Sequence, residues 1–185
     1  MAEVAIYLVR HGEADAHWGQ SADPGLSALG REQAEACASA LAPRLETSAL
    51  LISSPLARAR QTAVPLAQRL QRELHIHEAF REVPAPVPLA QRRDWLRAFM
   101  RETWDDQPEA LLGWRAATLD ALRDLQAPCV IFTHFLVINA VVGHLRGENS
   151  TLCFWPDNAS ITELALRDGR LSLTALGREM ETVVN

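Results

Sequence analysis

The tripeptide Arg10-His11-Gly12 follows directly on the apolar run Val4-Ala5-Ile6-Tyr7-Leu8-Val9. Arginine presents a planar fork of donors that matches a phosphate group. A neutral histidine can approach an anionic phosphorus without adding negative charge. Gly12 lets backbone or ligand come close. Three more chemistry-bearing positions lie further along: Arg58, Glu82 and His134. Two guanidinium groups, two imidazoles and one carboxyl group suit phosphoryl transfer. Positive donors stabilise charge on the equatorial phosphate oxygens, and a protonated carboxyl group can donate to the leaving oxygen.

These residues need elements that bring them together. The run 4–9 reads as a buried strand, β-branched and too short for a helix, which delivers Arg10-His11 to its carboxyl end. In open α/β sheets that edge binds ligands. A polar loop over 14–25 turns at Asp23-Pro24-Gly25, and Ser27 caps a helix with Ala34, Cys37, Ala38 and Leu41 inward, ended by Pro43. A second strand over 48–52 leads into Ser53-Ser54-Pro55-Leu56-Ala57-Arg58. Serine then proline predicts a cap and first helical residue, which places Arg58 in the first turn of a helix that Pro65 should kink. That end of a helix favours anions.

A third strand over 73–80 alternates and ends at Arg81-Glu82. A proline-rich break over 83–88 follows. An amphipathic helix then carries Leu89, Trp95, Leu96, Phe99 and Met100 beside Arg92, Arg93, Arg97 and Arg101, whose row reads mainly as a solvated face and alternatively as a lid for an anionic substrate. The aromatics read as packing. A helix over 108–125 points Leu111, Leu112, Ala116, Leu119 and Leu122 inward. The fourth strand, 128–133, ends at His134, and a helix follows over 135–145. Two short strands, 160–166 and 171–175, join through Asp168-Gly169, a hairpin turn signal, and 178–185 reads as a tail. If the first four strands share one sheet and direction, Arg10, His11, Arg58, Glu82 and His134 gather at one edge.

The chain of 185 residues fits one domain, and 48% hydrophobic with 22% charged residues is ordinary for a globular protein. A net charge of −5 argues against a general nucleic-acid or anionic-membrane surface, though not against a small anionic substrate. Cys37, Cys129 and Cys153 are odd in number and widely spaced, so reduced thiols in a cytoplasmic protein are expected. No signal peptide is read at the N-terminus, and the longest apolar stretch, about 135–143, is too short to span a bilayer and holds Asn139. His75 and His77 share a strand face without a third ligand, so no metal site is expected and no cofactor is implied. His17 and His144 have no partner in sequence.

The stretch Leu8-Val9-Arg10-His11-Gly12-Glu13-Ala14 resembles the opening motif of the histidine phosphatase superfamily, also called phosphoglycerate mutase-like. Asp23-Pro24-Gly25-Leu26-Ser27 with Gly30, Gln33 and Ala34 resembles the next segment, and Ser53-Ser54-Pro55-Leu56 with Arg58, Ala59, Gln61, Thr62 and Ala63 the second motif. Phe132-Thr133-His134 sits where the family carries its second histidine. The likeness runs from Ile6 to beyond Asn158. It implies a single three-layer α/β domain over 1–185, mainly parallel, with helices on both faces and a small helical cap inserted at 84–113.

The resemblance also implies roles. His11 would be the nucleophile that becomes phosphorylated. Arg10, Arg58 and His134 would form the phosphate pocket, with Gly12 beside it. Glu82 would be the proton donor, then the base for water. Glu13 is a rival carboxylate, and Glu82 is preferred because its strand should end beside His11. Asn158 falls near the pocket. Phe135 and Leu136 stand where the family often has paired glycines, so Phe135 is expected to narrow or alter the pocket floor. Trp18 is followed by Gly19 rather than the asparagine common in mutases, and the chain is short for a mutase.

The expected function is a metal-independent phosphomonoester hydrolase, a histidine acid-type phosphatase, that acts through a phosphohistidine on a small phosphorylated metabolite. Specificity would lie around His17 and Trp18 and in the cap. The alternatives are a phosphoglycerate-type mutase, a protein phosphohistidine phosphatase, and a catalytically silent phospho-ligand binding module. Neither the natural substrate nor the oligomeric state is written in the sequence.

Overall fold

A computed structural model describes residues 3–16 and 20–181. Its six strands are β1 (Val4–Arg10), β2 (Leu50–Ser53), β3 (Leu74–Ile76), β4 (Cys129–Thr133), β5 (Ile161–Arg167) and β6 (Arg170–Ala175). They form one mixed sheet in the order β3-β2-β4-β1-β5-β6. The first four strands are mutually parallel, and β5 and β6 add an antiparallel edge hairpin. At the hairpin turn Asp168 and Gly169 have φ of 50° and 74°. Two consecutive left-handed residues suit the twist of paired strands, which is why Asp-Gly marks such turns.

Among the described residues, α1 (Ala28–Leu41), α2 (Ala57–Leu70), α4 (Glu109–Arg123) and α5 (Phe135–Arg146) cover the sheet, and α3 (Arg92–Phe99) lies apart from it in the segment between Glu82 and α4. Alternation along the strands divides the core. Ile6, Leu8, Cys129 and Ile131 pack with Leu119 and Leu122 of α4 and Ile138, Val141 and Val142 of α5. Val9, Val130 and Phe132 pack with Cys37, Ala38 and Leu41 of α1 and Ala59, Ala63 and Leu66 of α2. Side chains at i and i+2 on a strand share a face, so neighbouring strands feed two separate cores.

Register sets the functional edge. Arg10 lies level with Thr133, and Ser53 with Phe132 and Ile76. The chain segments leaving β1, β2 and β4 therefore emerge side by side at the carboxyl edge.

Some local expectations change. The third strand stops at Ile76, and a short 3-10 turn, Glu78–Phe80, carries the chain to Glu82. Ser54 is not the cap of α2. That helix begins at Ala57 after Leu56, and its Ala57 N–H is met by Asp23 Oδ1 at 2.8 Å, from a loop distant in sequence. The helix continues through Pro65 to Leu70. In α4, Leu112 and Ala116 face outward, because Leu111, Thr118, Leu119 and Leu122 form the buried stripe. The cap-region helix divides into a 3-10 turn at Leu89–Gln91 and α3.

Between Glu82 and α4, Val83, Leu96, Phe99 and Trp104 join Leu111 and the first residues of α5, Phe135 and Leu136, in a third apolar cluster. Trp95 stacks on Phe99, with ring centroids 5.1 Å apart. The expected tail is docked from 178 to 180. Asp157 N–H donates to Arg178 O, and Met180 N–H donates to Trp155 O, both at 2.8 Å. Among the described residues no helix is long and apolar enough to cross a membrane.

Candidate active site

The loop leaving β1 is pinned from three sides. His11 N–H donates to Thr133 O at 3.0 Å, while Asn158 Nδ2 donates to His11 O at 3.2 Å. Gly12 N–H donates to Thr62 Oγ1 at 3.0 Å, and the Thr62 hydroxyl donates to Arg58 O at 2.7 Å. One threonine of α2 thus holds both the backbone beside the histidine and the first turn that carries Arg58. A Cβ on Gly12 would stand 2.5 Å from Gly30 O. The close approach that Gly12 permits is backbone on backbone. Its amide is committed to Thr62, so its expected contact with substrate is corrected to a role in loop packing.

Hydrogen-bond polarity identifies the tautomer of His11. Nδ1 lies 2.7 Å from the carbonyl of Gly12, which can only accept, so Nδ1 carries the proton. Nε2 keeps a lone pair and accepts from Arg58 Nε at 3.1 Å. Burial pushes the imidazole well below its ordinary pKa, helped by the charges of Arg58 and Arg10. His11 is therefore neutral at physiological pH, with its basic nitrogen beside a guanidinium.

His134 ends β4, and its ring centroid lies 5.3 Å from that of His11. Its Nε2 lies 2.7 Å from Ser54 Oγ, which also accepts from Leu56 N–H at 3.2 Å. Its other ring nitrogen, Nδ1, is buried without a partner. Burial, then the charge of Arg58, keeps His134 well below its ordinary pKa.

Arg10 donates through Nη1 to Pro156 O at 2.8 Å and to Met180 Sδ at 3.5 Å, while its buried Nε is unpartnered. Its guanidinium lies over the ring of Phe135, 5.0 Å from the centroid. Phe135, expected on the pocket floor, is 2% exposed and lies off the cleft wall beneath this arginine. An aromatic face favours a cation above it, so the residue supports Arg10 instead of narrowing the pocket. Burial lowers Arg10 to about 10, which leaves it charged at neutral pH.

Glu82 is buried, with Oε1 accepting from Val83 N–H at 2.9 Å and Oε2 from Leu136 N–H, at the start of α5, at 3.3 Å. Burial raises its pKa, against the opposing pull of these donors and of Arg58. Glu13 is exposed and accepts from Ser27 Oγ at 2.7 Å.

Arg10, His11, Arg58, Glu82 and Asn158 open onto one cleft of about 1070 Å³, and His134 lies buried beside His11. Among the described residues no three metal-ligating side chains cluster. The loop residues His17 and Trp18 lie outside the described residues.

A family model for the histidine phosphatase superfamily (branch 1) matches residues 6–179. The chain belongs to the histidine phosphatase superfamily. A glucosyl-3-phosphoglycerate phosphatase of Mycolicibacterium vanbaalenii is 35% identical over 114 residues, 60% of this chain and 47% of that protein. The chain thus spans about half the length of the curated relatives it matches. A solved mycobacterial glucosyl-3-phosphoglycerate phosphatase complexed with VO3 superposes with a TM-score of 0.75 at 25% identity, covering 95% of this chain and all of that one. A phosphoserine phosphatase from Entamoeba histolytica, in complex with 3-phosphoglyceric acid, shares the fold. Its TM-score is 0.77 at 23% identity, with 96% and 98% of the chains covered.

Within this member of the superfamily, the structure reveals positions that sequence reading passed over. Trp155 stands 46% exposed on the cleft wall, far in sequence from either motif, with no local signal to mark it. Arg92, Arg93 and Arg97, read mainly as a solvated face, line the same cleft, whereas Arg101 does not. His144 has a partner after all, with Arg123 Nη2 at 3.2 Å from its Nε2. His75 is exposed on the outer strand β3, whereas His77 lies beyond its end and caps the 3-10 turn that follows, and neither lines the cleft.

Proposed function

We propose that the protein hydrolyses phosphate monoesters of small metabolites through a phosphohistidine on His11. The observation that carries the reading is the fixed tautomer of His11, a neutral imidazole whose Nε2 lone pair lies against Arg58 in a cationic cleft. In the first step Nε2 attacks phosphorus and the ester P–O bond breaks. Glu82, whose pKa burial raises, gives its proton to the leaving oxygen. Arg10, Arg58 and His134 stabilise the equatorial oxygens. In the second step Glu82, now a carboxylate, takes a proton from water as the water oxygen attacks phosphorus. The P–N bond breaks, inorganic phosphate leaves, and His11 returns to its starting form.

Glu82 suits this role better than Glu13. It is buried in the cleft with a raised pKa, whereas Glu13 is solvated and tied to Ser27. We assign residues 84–113 as a cap over the site, because their apolar cluster packs on the start of α5 beside Glu82. The unpaired cysteines Cys37, Cys129 and Cys153 support a reducing, cytoplasmic setting.

The test is hydrolysis of para-nitrophenyl phosphate with a chelator present, together with acid-quench trapping of labelled phosphoenzyme. Wild type should turn over and trap label. His11→Ala should lose at least about 10³-fold in kcat and trap none. Full activity in His11→Ala would overturn the reading. Stable labelling with slow release to water and fast transfer to a second hydroxyl would identify a mutase instead.

A further inference from the structure

Arg10 is backed by a segment that follows the last strand. Gly177 N–H donates to Thr162 Oγ1 at 3.1 Å. Asp157 N–H donates to Arg178 O and Met180 N–H to Trp155 O, each at 2.8 Å, so residues 178–180 run antiparallel to 155–157. Two side chains tighten the pair. Arg178 Nε donates to Asp157 Oδ2 at 2.9 Å, and Glu179 Oε1 accepts from Trp155 N–H at 3.2 Å. This lacing sets Met180 Sδ 3.5 Å from Arg10 Nη1.

The sulfur is open on its other side. Met180 is 39% exposed, whereas Arg10 is 9% exposed. Met180 does not line the cleft, so a small reagent meets it from behind the arginine, outside the path of the substrate. A thioether is only a weak acceptor. Nη1, whose other partner is Pro156 O at 2.8 Å, can therefore leave the sulfur for a phosphate oxygen at little cost. Chemistry that strengthens this acceptor acts directly on the phosphate pocket.

We propose that Met180 is an oxidative modification site through which peroxides weaken the phosphate pocket. The sulfur lone pair attacks one oxygen of hydrogen peroxide and the O–O bond breaks. The sulfur is oxidised to a sulfoxide, and the other oxygen leaves as hydroxide, takes the remaining proton and becomes water. The sulfoxide oxygen holds Arg10 Nη1 through a charge-assisted bond and competes with the phosphate for that donor. Enzymatic reduction of the sulfoxide restores the thioether. The proposal rests on the phosphatase reading for Arg10 as a phosphate ligand, and it adds a redox control to that ligand.

The test treats the purified protein with hydrogen peroxide and locates the added oxygen by peptide mass mapping. Inorganic phosphate is titrated calorimetrically, and kcat/KM is measured on para-nitrophenyl phosphate, before and after treatment. Oxidation at Met180 should weaken phosphate binding and lower kcat/KM by about tenfold each, the size expected when one charge-assisted bond is diverted. Methionine sulfoxide reductase should restore both, and dithiothreitol, which reverses disulfides and sulfenic acids but not sulfoxides, should restore neither. The ratio of treated to untreated values should stay near one in Met180→Leu and match wild type in Met100→Leu. Met180→Gln, which sets an amide oxygen near the guanidinium, should bind phosphate about tenfold more weakly than Met180→Leu without any oxidant.

Complete conversion of Met180 to its sulfoxide with unchanged phosphate affinity would overturn the proposal while hydrolysis still stood. So would a loss that persists in Met180→Leu, or a Met180 that stays unoxidised while the cleft residue Met100 is converted. A phosphate affinity that falls on oxidation and recovers with the reductase, in a protein that turns over no ester, would uphold the modification site and refute the phosphatase reading.

Discussion

Glu82→Gln separates a proton donor from a structural carboxylate. The substitution is nearly isosteric at a site 6% exposed. A glutamine can keep the 2.9 Å bond from Val83 N–H on its carbonyl oxygen, and it then turns its NH₂ toward Leu136 N–H, losing the longer 3.3 Å bond. That loss costs about 1 kcal/mol. The opposing term comes from linkage. Burial raises the folded-state pKa of Glu82 above 4.5, so the folded state binds more protons than the unfolded chain between those values. Its stability therefore falls as pH rises through that window. At neutral pH the amide escapes this penalty. The two effects oppose, and the variant should unfold within about 1 kcal/mol of wild type.

Catalysis should respond far more. An alkyl oxygen leaves poorly without a proton, so kcat/KM for an alkyl phosphate should fall by about 10²–10⁴-fold. Para-nitrophenolate needs no proton, and its ester should lose less than about tenfold. Wild-type turnover of the alkyl ester should decline as pH rises through the raised pKa of Glu82, above the usual carboxylate range, and the variant should lack that limb. Equal losses on both esters, or retention on both, would refute the assignment. Glu13→Gln, which removes an exposed carboxylate, should leave the leaving-group dependence intact.

Thr62→Val keeps the shape but strands the Gly12 N–H and frees Arg58 O. It should destabilise the fold by about 1–3 kcal/mol in denaturant titration and lower kcat, because the histidine loop and Arg58 share that hydroxyl. Gly12→Ala drives a methyl against Gly30 O and should cost about 1–3 kcal/mol, with weaker vanadate binding as the loop shifts. The thermal midpoint should fall as pH drops below 6.5, since unfolding lets His11 and His134 take up protons that burial denies them. Each histidine contributes up to about 1.4 kcal/mol per pH unit in that range, with Glu82 acting in the opposite sense. His134→Gln should therefore flatten the slope in calorimetric scans.

The strands were legible because their signal is local. The apolar run before Arg10 and the one before His134 are each too short to bury anything except as strands, and Asp168-Gly169 is a turn with a steric cause. From those runs alone the carboxyl edge of the sheet could be expected to gather Arg10, His11 and His134. Glu82 was named as the end of an expected strand that proved shorter, and from the family resemblance. It is delivered by a 3-10 turn and by the N–H groups of Val83 and Leu136, which no periodicity encodes. The arginine row showed only that one helix face is charged.

The sequence by itself determined where the first and fourth strands end, the inventory of phosphate-binding side chains and the hairpin, because strand burial and turn sterics act over a few residues. Tertiary structure alone decided the setting of His11 Nε2 against Arg58, the burial that raises the pKa of Glu82, the place of Phe135 beneath Arg10 and the turning of Arg92, Arg93 and Arg97 toward the cleft. Each of these depends on which carbonyl, ring or charge lies opposite, and those neighbours stand tens of residues away along the chain, meeting only when the sheet and helices pack.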